Sequence, residues 1–188
     1  TAITLTVIAV FSVFASASDL EVSKAYFESA GQSETFFADK SASSDITRGE
    51  AALFLEDFIK DSASMGIISS RNSDKSFSDG NSSVTTAYKY GVILPLDSAK
   101  FGTADKISYA EFVSAWLVIL GYSPDSGDFL YEFPYDAAGE AGIISAVASG
   151  NLTFADMLDV SIRAIGANFK GKNLCLTDSA EYKQSMNR

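Results

Sequence analysis

Residues 46–59 read ITRGEAALFLEDFI, and the same plan recurs in ISYAEFVSAWLVIL (107–120) and LTFADMLDVSIRAI (152–165). The three stretches align without a gap. Each begins with Ile or Leu, continues with Thr or Ser, and has an acidic residue three positions after that hydroxyl. Recurrence of one pattern along a chain is typical of proteins built from similar structural units. The sequence therefore predicts three repeats, each organised around one of these stretches.

The hydroxyl and the carboxylate of each copy have the spacing of a capping box. In this motif the hydroxyl accepts a hydrogen bond from the backbone N–H three residues later, and the carboxylate accepts one from the backbone N–H of the capping residue. The three pairs are Thr47 with Glu50, Ser108 with Glu111, and Thr153 with Asp156. A helix cap contributes about 1 kcal/mol to stability. We therefore predict that a helix begins at each of these positions.

Behind each cap, apolar residues recur with the spacing of one helical face, which predicts a buried side. They are Phe54, Leu55, Phe58 and Ile59 in the first copy, and Phe112, Val113, Trp116 and Leu120 in the second. A shorter lead helix is predicted before each copy, at 20–31, 83–93 and 135–144. These lead helices end near Gly31, Gly91 and Gly142, because glycine readily adopts the left-handed conformation that closes a helix. The Trp116 ring is assigned to the core rather than to a ligand platform.

One position inside the repeated stretch varies in chemistry. The residue directly after the cap is Arg48 in the first copy, Tyr109 in the second and Phe154 in the third. We expect this side chain to point outward beside the free backbone N–H groups of the first helical turn. An arginine there can bind an anion through charge and hydrogen bonds, whereas Tyr or Phe cannot do so by charge. Arg48 is therefore the predicted ligand-binding residue.

The composition argues against several function classes. The chain of 188 residues has a net charge of -10, so its field repels nucleic acid and anionic lipid, and no nucleic-acid partner is expected. It contains no histidine and one cysteine, Cys175, so the commonest general base and zinc ligands are lacking. The G-x-S-x-G, P-loop and H-E-x-x-H motifs do not occur. We expect a protein without catalytic residues, metal site or cofactor. Cys175 is expected to be a small buried residue or, alternatively, a thiol that pairs two chains.

The first 18 residues, TAITLTVIAVFSVFASAS, are uncharged and apolar. An apolar core followed by small residues in an A-x-A pattern is typical of a secretory signal, here with cleavage after Ala17. The alternative is a retained apolar helix, buried in a membrane or inside an assembly of identical subunits. The signal interpretation predicts export, and we expect an extracellular protein of the cell surface. Asn81 and Asn151 match the glycosylation sequon, although such triplets arise easily by chance in a Ser-rich chain, and Asn151 is alternatively a turn former.

The stretch 46–50 resembles the ITRAE signature of S-layer homology (SLH) domains. The second repeat is similar to that family over a longer span, through FSD at 77–79, TTAYKYGVI, KFGTADKISYAEF and a helix ending in LGY. The resemblance covers roughly residues 19–170. It implies a mainly α fold of three helix-loop-helix repeats packed as a helical spindle, preceded by the hydrophobic N-terminal segment. It also implies that the signature arginine contacts a pyruvylated, acidic wall polysaccharide. Only Arg48 matches that arginine, because the other two repeats have Tyr109 and Phe154 at this position.

The predicted organisation therefore has six parts. These are the hydrophobic segment (1–18), repeat 1 (19–60), a linker (61–76), repeat 2 (77–122), repeat 3 (123–170) and a C-terminal tail (171–188). Two functions remain open from the sequence. The first is a structural protein of the cell surface whose repeats assemble with copies of the same chain into a layer or filament. The alternative is a cell-wall anchoring module that binds acidic polysaccharide through Arg48. Loss of the arginine from two repeats favours assembly.

Overall fold

The computed structural model describes residues 17–29 and 34–178, and within these ranges the fold is mainly α, as predicted. The α-helices are α1 (Ala17–Ser29), α2 (Glu34–Phe37), α3 (Arg48–Ser64), α4 (Ser82–Lys89), α5 (Tyr109–Ile119), α6 (Tyr135–Glu140) and α7 (Phe154–Gly166). Short 3-10 turns lie at Pro124–Ser126 and Leu176–Asp178. In the described residues, extended pairing is confined to isolated bridges. Residues 1–16 of the predicted N-terminal segment and 179–188 of the predicted tail lie outside these ranges.

The three predicted capping boxes are present at the starts of α3, α5 and α7. In each, the hydroxyl accepts from the backbone N–H three residues later, and the carboxylate accepts from the backbone N–H of the cap. The Thr47 N–H donates to Glu50 at 2.8 Å, while the corresponding distances for Ser108 and Thr153 are both 3.3 Å. These local contacts fix where the three long helices begin.

The residues just before the caps join the three repeats in a closed ring of backbone hydrogen bonds. The Ile46 N–H donates to the Leu152 carbonyl at 3.1 Å, Leu152 donates to Ile107 at 2.9 Å, and Ile107 donates back to Ile46 at 3.0 Å. All three side chains are fully buried. Because each repeat donates to one neighbour and accepts from the other, the three helix starts meet around a common centre.

The first two long helices each pack against the lead helix that follows them in the chain. Helix α4 packs on α3, and α6 packs on α5. No lead helix follows α7 within the described residues, and α7 instead packs against α1, which comes from the other end of the chain. The third helix pair is therefore closed by the two ends of the described chain. Helix α3 also continues to Ser64, past the predicted end of repeat 1 at residue 60.

Aromatic side chains fill the space between the helices. Phe27 of α1 contacts Phe54 with ring centres 5.1 Å apart, and Phe58 contacts Trp116 at the same separation. Trp116 is fully buried, and its indole N–H donates to the Ser161 hydroxyl at 3.1 Å. The predicted assignment of Trp116 to the core is confirmed. A single buried cluster thus spans all three repeats.

Glycines close the helices as the sequence predicts where the structure describes them. At the end of α4, Gly91 has φ +68°, its N–H donates to Tyr88, and the Val92 N–H donates to Ala87. This is the Schellman arrangement. Gly66, in the MGII stretch at 65–68, closes α3 in the same way. Gly31 lies outside the described residues. Among the helices that are described, none is long and apolar enough to cross a membrane.

Candidate functional site

The side chain after each cap faces inward, and the expectation that it points outward is wrong. Arg48 is 2% exposed, Tyr109 is 5% exposed and Phe154 is fully buried. The reason is that the first turn of each helix lies against a neighbouring repeat. The Arg48 N–H donates to the Asp105 carbonyl at 2.8 Å, so the helix start that was expected to be free is already occupied by protein. Equivalent bonds run from Tyr109 to Gly150 and from Phe154 to Ser44.

All the contacts of the Arg48 guanidinium are made within the protein. Its Nε donates to the Phe101 carbonyl at 3.0 Å, one terminal nitrogen donates to the Leu94 carbonyl, and the other donates to the Glu111 carboxylate. The guanidinium also lies over the Phe101 ring, 5.3 Å from its centre. Glu111 is therefore both the capping residue of α5 and the counterion of Arg48. This arrangement neutralises the charge that an anionic ligand would need.

The loop that accepts from Arg48 is held in place by Asp79. The Asp79 carboxylate accepts from the backbone N–H groups of Phe101, Gly102 and Thr103, each at 2.9 Å. These backbone hydrogen bonds lower the pKa of Asp79 below its ordinary value. Asp79 belongs to the FSD stretch of the sequence, to which no role was assigned. A carboxylate after an aromatic residue gave too little signal to identify this contact in advance.

The second repeat has Tyr109 at the corresponding position. Its ring lies stacked near Tyr135, with ring centres 6.4 Å apart. Burial, followed by the nearby negative charges of Asp156 and Asp159, raises the pKa of the Tyr109 hydroxyl to about 12. Asp156 is the capping carboxylate of α7, so Tyr109 stands beside the cap of the next repeat as Arg48 does. Here a neutral aromatic ring replaces the ion pair.

Near the start of the third repeat, the cations come from the part of the chain that precedes the first repeated stretch, and not from the residue after the cap. Phe154 packs against Phe37, and the Lys24 ammonium lies 5.5 Å from the centre of the Phe154 ring. The capping carboxylate of α3, Glu50, pairs with Lys40 at 2.5 Å. Burial opposes ionisation of Glu50, but hydrogen bonds from Lys40 and Thr47 outweigh it and lower the pKa of Glu50. The sequence analysis missed Lys40 because it lies outside the repeated stretch.

A cavity of about 440 Å³ opens beside the first turn of α5, and we refer to it as the α5 cavity. It is lined by Val92, Ile93, Leu94, Ser108, Ala110, Glu111, Tyr131 and Glu132. Its volume lies in the range of ordinary ligand pockets. The Leu94 carbonyl and Glu111, which both bind Arg48, belong to its wall, whereas the Arg48 side chain lies behind that wall. The charged groups of the lining are thus two carboxylates, which do not favour an acidic ligand.

The turn at 130–133 adds exposed apolar surface beside this cavity. Leu130 is 63% exposed and Phe133 is 72% exposed, and the two residues are joined by a backbone bridge. Leu94 in the cavity wall is 42% exposed. Large apolar side chains grouped on a surface are typical of protein–protein contact sites. The α5 cavity with this turn is the strongest candidate for a binding surface.

The comparisons and the metal-ligand geometry assign no further chemistry. No family model matches the chain, and no curated protein matches it either. Over residues 17–29 and 34–178, no group of three or more His, Cys, Asp or Glu side chains is placed to hold a metal ion.

Cys175 is a free thiol that is partly exposed rather than fully buried, and it contacts the Thr177 hydroxyl at 2.9 Å. The Asn81 side chain caps α4 by accepting from the Val84 N–H at 3.1 Å.

Proposed function

We propose that this protein is a non-enzymatic structural subunit of the cell surface that associates with copies of itself into a layer or filament. The three repeats form an SLH-like helical spindle in this proposal, and the chain acts outside the cell. The observation that carries the proposal is the set of exposed apolar side chains at the α5 cavity and in the turn next to it: Leu94 in the cavity wall, and Leu130 and Phe133 on either side of the lining residues 131–132 in the chain. Such surface on a folded chain is stabilised when it is covered by a partner.

The spindle interpretation is supported by the closed ring of Ile46, Ile107 and Leu152 backbone bonds. Three capping boxes around one centre give three similar repeats and three junctions between them. A scaffold of this kind presents several surfaces in different directions. That property suits an assembling subunit, because each copy must contact more than one neighbour to extend a layer or filament.

The alternative function, wall anchoring through Arg48, has weaker support. A polysaccharide acid group would have to compete with Glu111 for a guanidinium that is 2% exposed and already bonded to two carbonyls. Breaking those bonds would leave buried carbonyl groups unpaired, at a cost of about 1–3 kcal/mol for each. The geometry therefore favours a structural role for Arg48.

Sedimentation velocity of the purified chain, combined with negative-stain electron microscopy, tests the proposal. We expect species larger than the monomer to grow with protein concentration and to appear as ordered layers or filaments. A chain that stays monomeric at every accessible concentration would contradict self-association. Retention of the monomer by purified acidic wall polysaccharide, in the same experiment, would favour the anchoring alternative.

A further inference from the structure

A small loop at residues 169–174 carries two lysines, of which Lys170 pairs with Asp128, and exposes the apolar side chain of Leu174. The loop is closed by the Phe169 N–H donating to Leu174 at 2.8 Å and by the Lys172 N–H donating to Phe169 at 2.9 Å. Phe169 is buried and anchors it, whereas Lys172 is exposed and Leu174 is 46% exposed. In the described part of the chain Lys172 makes no ion pair. The loop is therefore a surface protrusion that is anchored by a buried side chain and carries a positive charge without an ion pair in the described residues.

The α5 cavity has the complementary properties. Its wall is mostly apolar, and Glu132 in its lining is an exposed carboxylate without an ion pair among residues 17–29 and 34–178. Glu111, the other carboxylate of the lining, already binds Arg48. An apolar side chain with a neighbouring ammonium group would cover Leu94 while placing its charge near Glu132. The sequence stretch Lys172-Asn173-Leu174 offers this combination.

The loop and the cavity lie at opposite ends of one helix. The cavity is lined by Ser108, Ala110 and Glu111 at the start of α5, whereas the Lys170 N–H of the loop donates to the Leu120 carbonyl directly after the end of α5. A helix of 11 residues is about 16 Å long. The loop at one end and the cavity at the other cannot meet within one molecule. They can meet between two molecules stacked along the direction of α5.

We propose that the 169–174 loop of one copy inserts into the α5 cavity of the next copy, with Lys172 beside the partner's Glu132 and Leu174 against the apolar wall. The two surfaces differ, so the contact is heterologous and each subunit keeps one free loop and one free cavity. A contact of this type extends into an open filament unless the rotation between copies closes a ring. The inference rests on the self-association proposed above and names the surfaces that carry it.

The negative net charge of the chain means that two copies do not attract each other as whole molecules, so a contact between them needs a local ion pair such as Lys172 with Glu132. Two copies with a net charge of -10 repel one another at long range. The Lys172 ammonium is one of few cations in the described residues that remain free for an intermolecular pair. Salt screens the long-range repulsion more than it weakens an enclosed ion pair. Assembly through this contact is therefore expected to increase when low ionic strength is raised to physiological ionic strength.

Charge exchange between the two surfaces tests the contact in the full chain. The variants are Glu132→Lys and Lys172→Glu, studied separately and as a mixture by sedimentation velocity and electron microscopy. Matched controls are Glu140→Lys and Lys100→Glu, which reverse exposed charges elsewhere. Each surface variant alone places like charges at the contact, so the concentration needed for assembly should rise by at least about tenfold. Circular dichroism of each variant establishes that it is folded.

Mixing the two surface variants should restore assembly, because opposite charges then face each other at both kinds of junction. The cavity of a Glu132→Lys copy receives the loop of a Lys172→Glu copy, and the unchanged Glu132 of the latter faces the unchanged Lys172 of the former. The expected product is an alternating polymer, which neither variant forms alone.

Three outcomes would overturn this contact, and they differ in what they leave of self-association in general. Assembly of the unmodified chain together with unchanged assembly of both single variants would overturn this contact while leaving self-association intact. An unmodified chain that never assembles would overturn both proposals. Loss of assembly by the control variants to the same degree would also overturn the contact, since a general charge effect would then explain the loss.

Discussion

The Arg48 guanidinium and the Glu111 carboxylate form an ion pair that joins the start of α3 to the start of α5. Arg48 is buried, whereas the Glu111 side chain is 38% exposed, so the pair runs from the interior to the wall of the α5 cavity. Glu111 also accepts hydrogen bonds from Ser108 in its own capping box. One carboxylate therefore completes a helix cap and compensates a charge from another repeat. Arg48, which resembles a ligand-binding arginine in the sequence, therefore links two repeats in the structure.

Replacement of Arg48 by alanine should destabilise the fold strongly. The change leaves the Leu94 and Phe101 carbonyls without their donor and removes the counterion of Glu111. We expect the free energy of unfolding to fall by about 3 kcal/mol. The free energy of unfolding is measured by urea denaturation, with circular dichroism as the signal. Arg163→Ala is the matched control, because Arg163 forms a partly exposed pair with Asp159 one turn earlier and should cost about 0.5 kcal/mol. Equal losses for the two variants would contradict the structural role of Arg48.

The hydrogen bond between Trp116 and Ser161 should be measurable as a coupling. Ser161→Ala leaves the buried indole N–H without an acceptor, which should lower the free energy of unfolding by about 1–3 kcal/mol. In a Trp116→Phe background that N–H is absent, and the same serine change should cost much less. A double-mutant cycle on chemical denaturation gives the coupling energy. Strict additivity of the two changes would show that the bond contributes nothing.

Acid should weaken the structure partly through Asp79. The pKa of this carboxyl is lowered in the folded state by three backbone hydrogen bonds, so the folded protein binds the proton less readily than the unfolded chain. The ordinary pKa of an aspartate carboxyl is 3.8. The contribution of Asp79 to stability is therefore fully present when the pH is above that value, and it is lost as the pH falls through the lowered pKa of the folded state. Urea midpoints at neutral and acid pH should differ less in Asp79→Asn than in the unmodified chain. The exposed Asp39→Asn control should keep the original difference.

Closure of the chain should depend on Phe27. This side chain of α1 is fully buried against Phe54 and Phe58 of α3, while α1 packs on α7. Phe27→Ala should lower the free energy of unfolding by about 3–5 kcal/mol. Hydrogen exchange should show faster amide exchange in both α1 and α7, although these helices come from opposite ends of the described chain. Val22→Ala on the same helix removes a half-exposed side chain and should change little. Faster exchange confined to α1 would argue against the packing of the two ends.

The sequence predicted well what depends on contacts between near neighbours in the chain. A capping box involves residues three positions apart, so Thr47 with Glu50 and its two counterparts are readable from the pattern alone. The glycine that ends α4 and the buried face that contains Trp116 are local signals of the same kind. The mainly α class follows from these helix starts, ends and faces.

The prediction for Arg48 was wrong about its direction because its environment comes from distant parts of the chain. Leu94, Phe101 and Glu111 lie 46 to 63 residues away in sequence and surround the side chain only when the repeats pack. Helix periodicity gives the face on which a residue lies, but it does not give what covers that face. The α5 cavity was not predicted for the same reason, since segments 92–94, 108–111 and 131–132 form it jointly.

The stretch 46–59 by itself determined that a capped helix begins at Thr47 and buries a defined apolar face, because a cap and a helical period need only residues a few positions apart. Only the tertiary structure decided that the first turn of this helix is covered, that α1 closes on α7, and that Arg48 is neutralised by Glu111. These outcomes depend on which repeat packs against which. The ring through Ile46, Ile107 and Leu152 joins the repeats through backbone hydrogen bonds, which a sequence pattern does not encode.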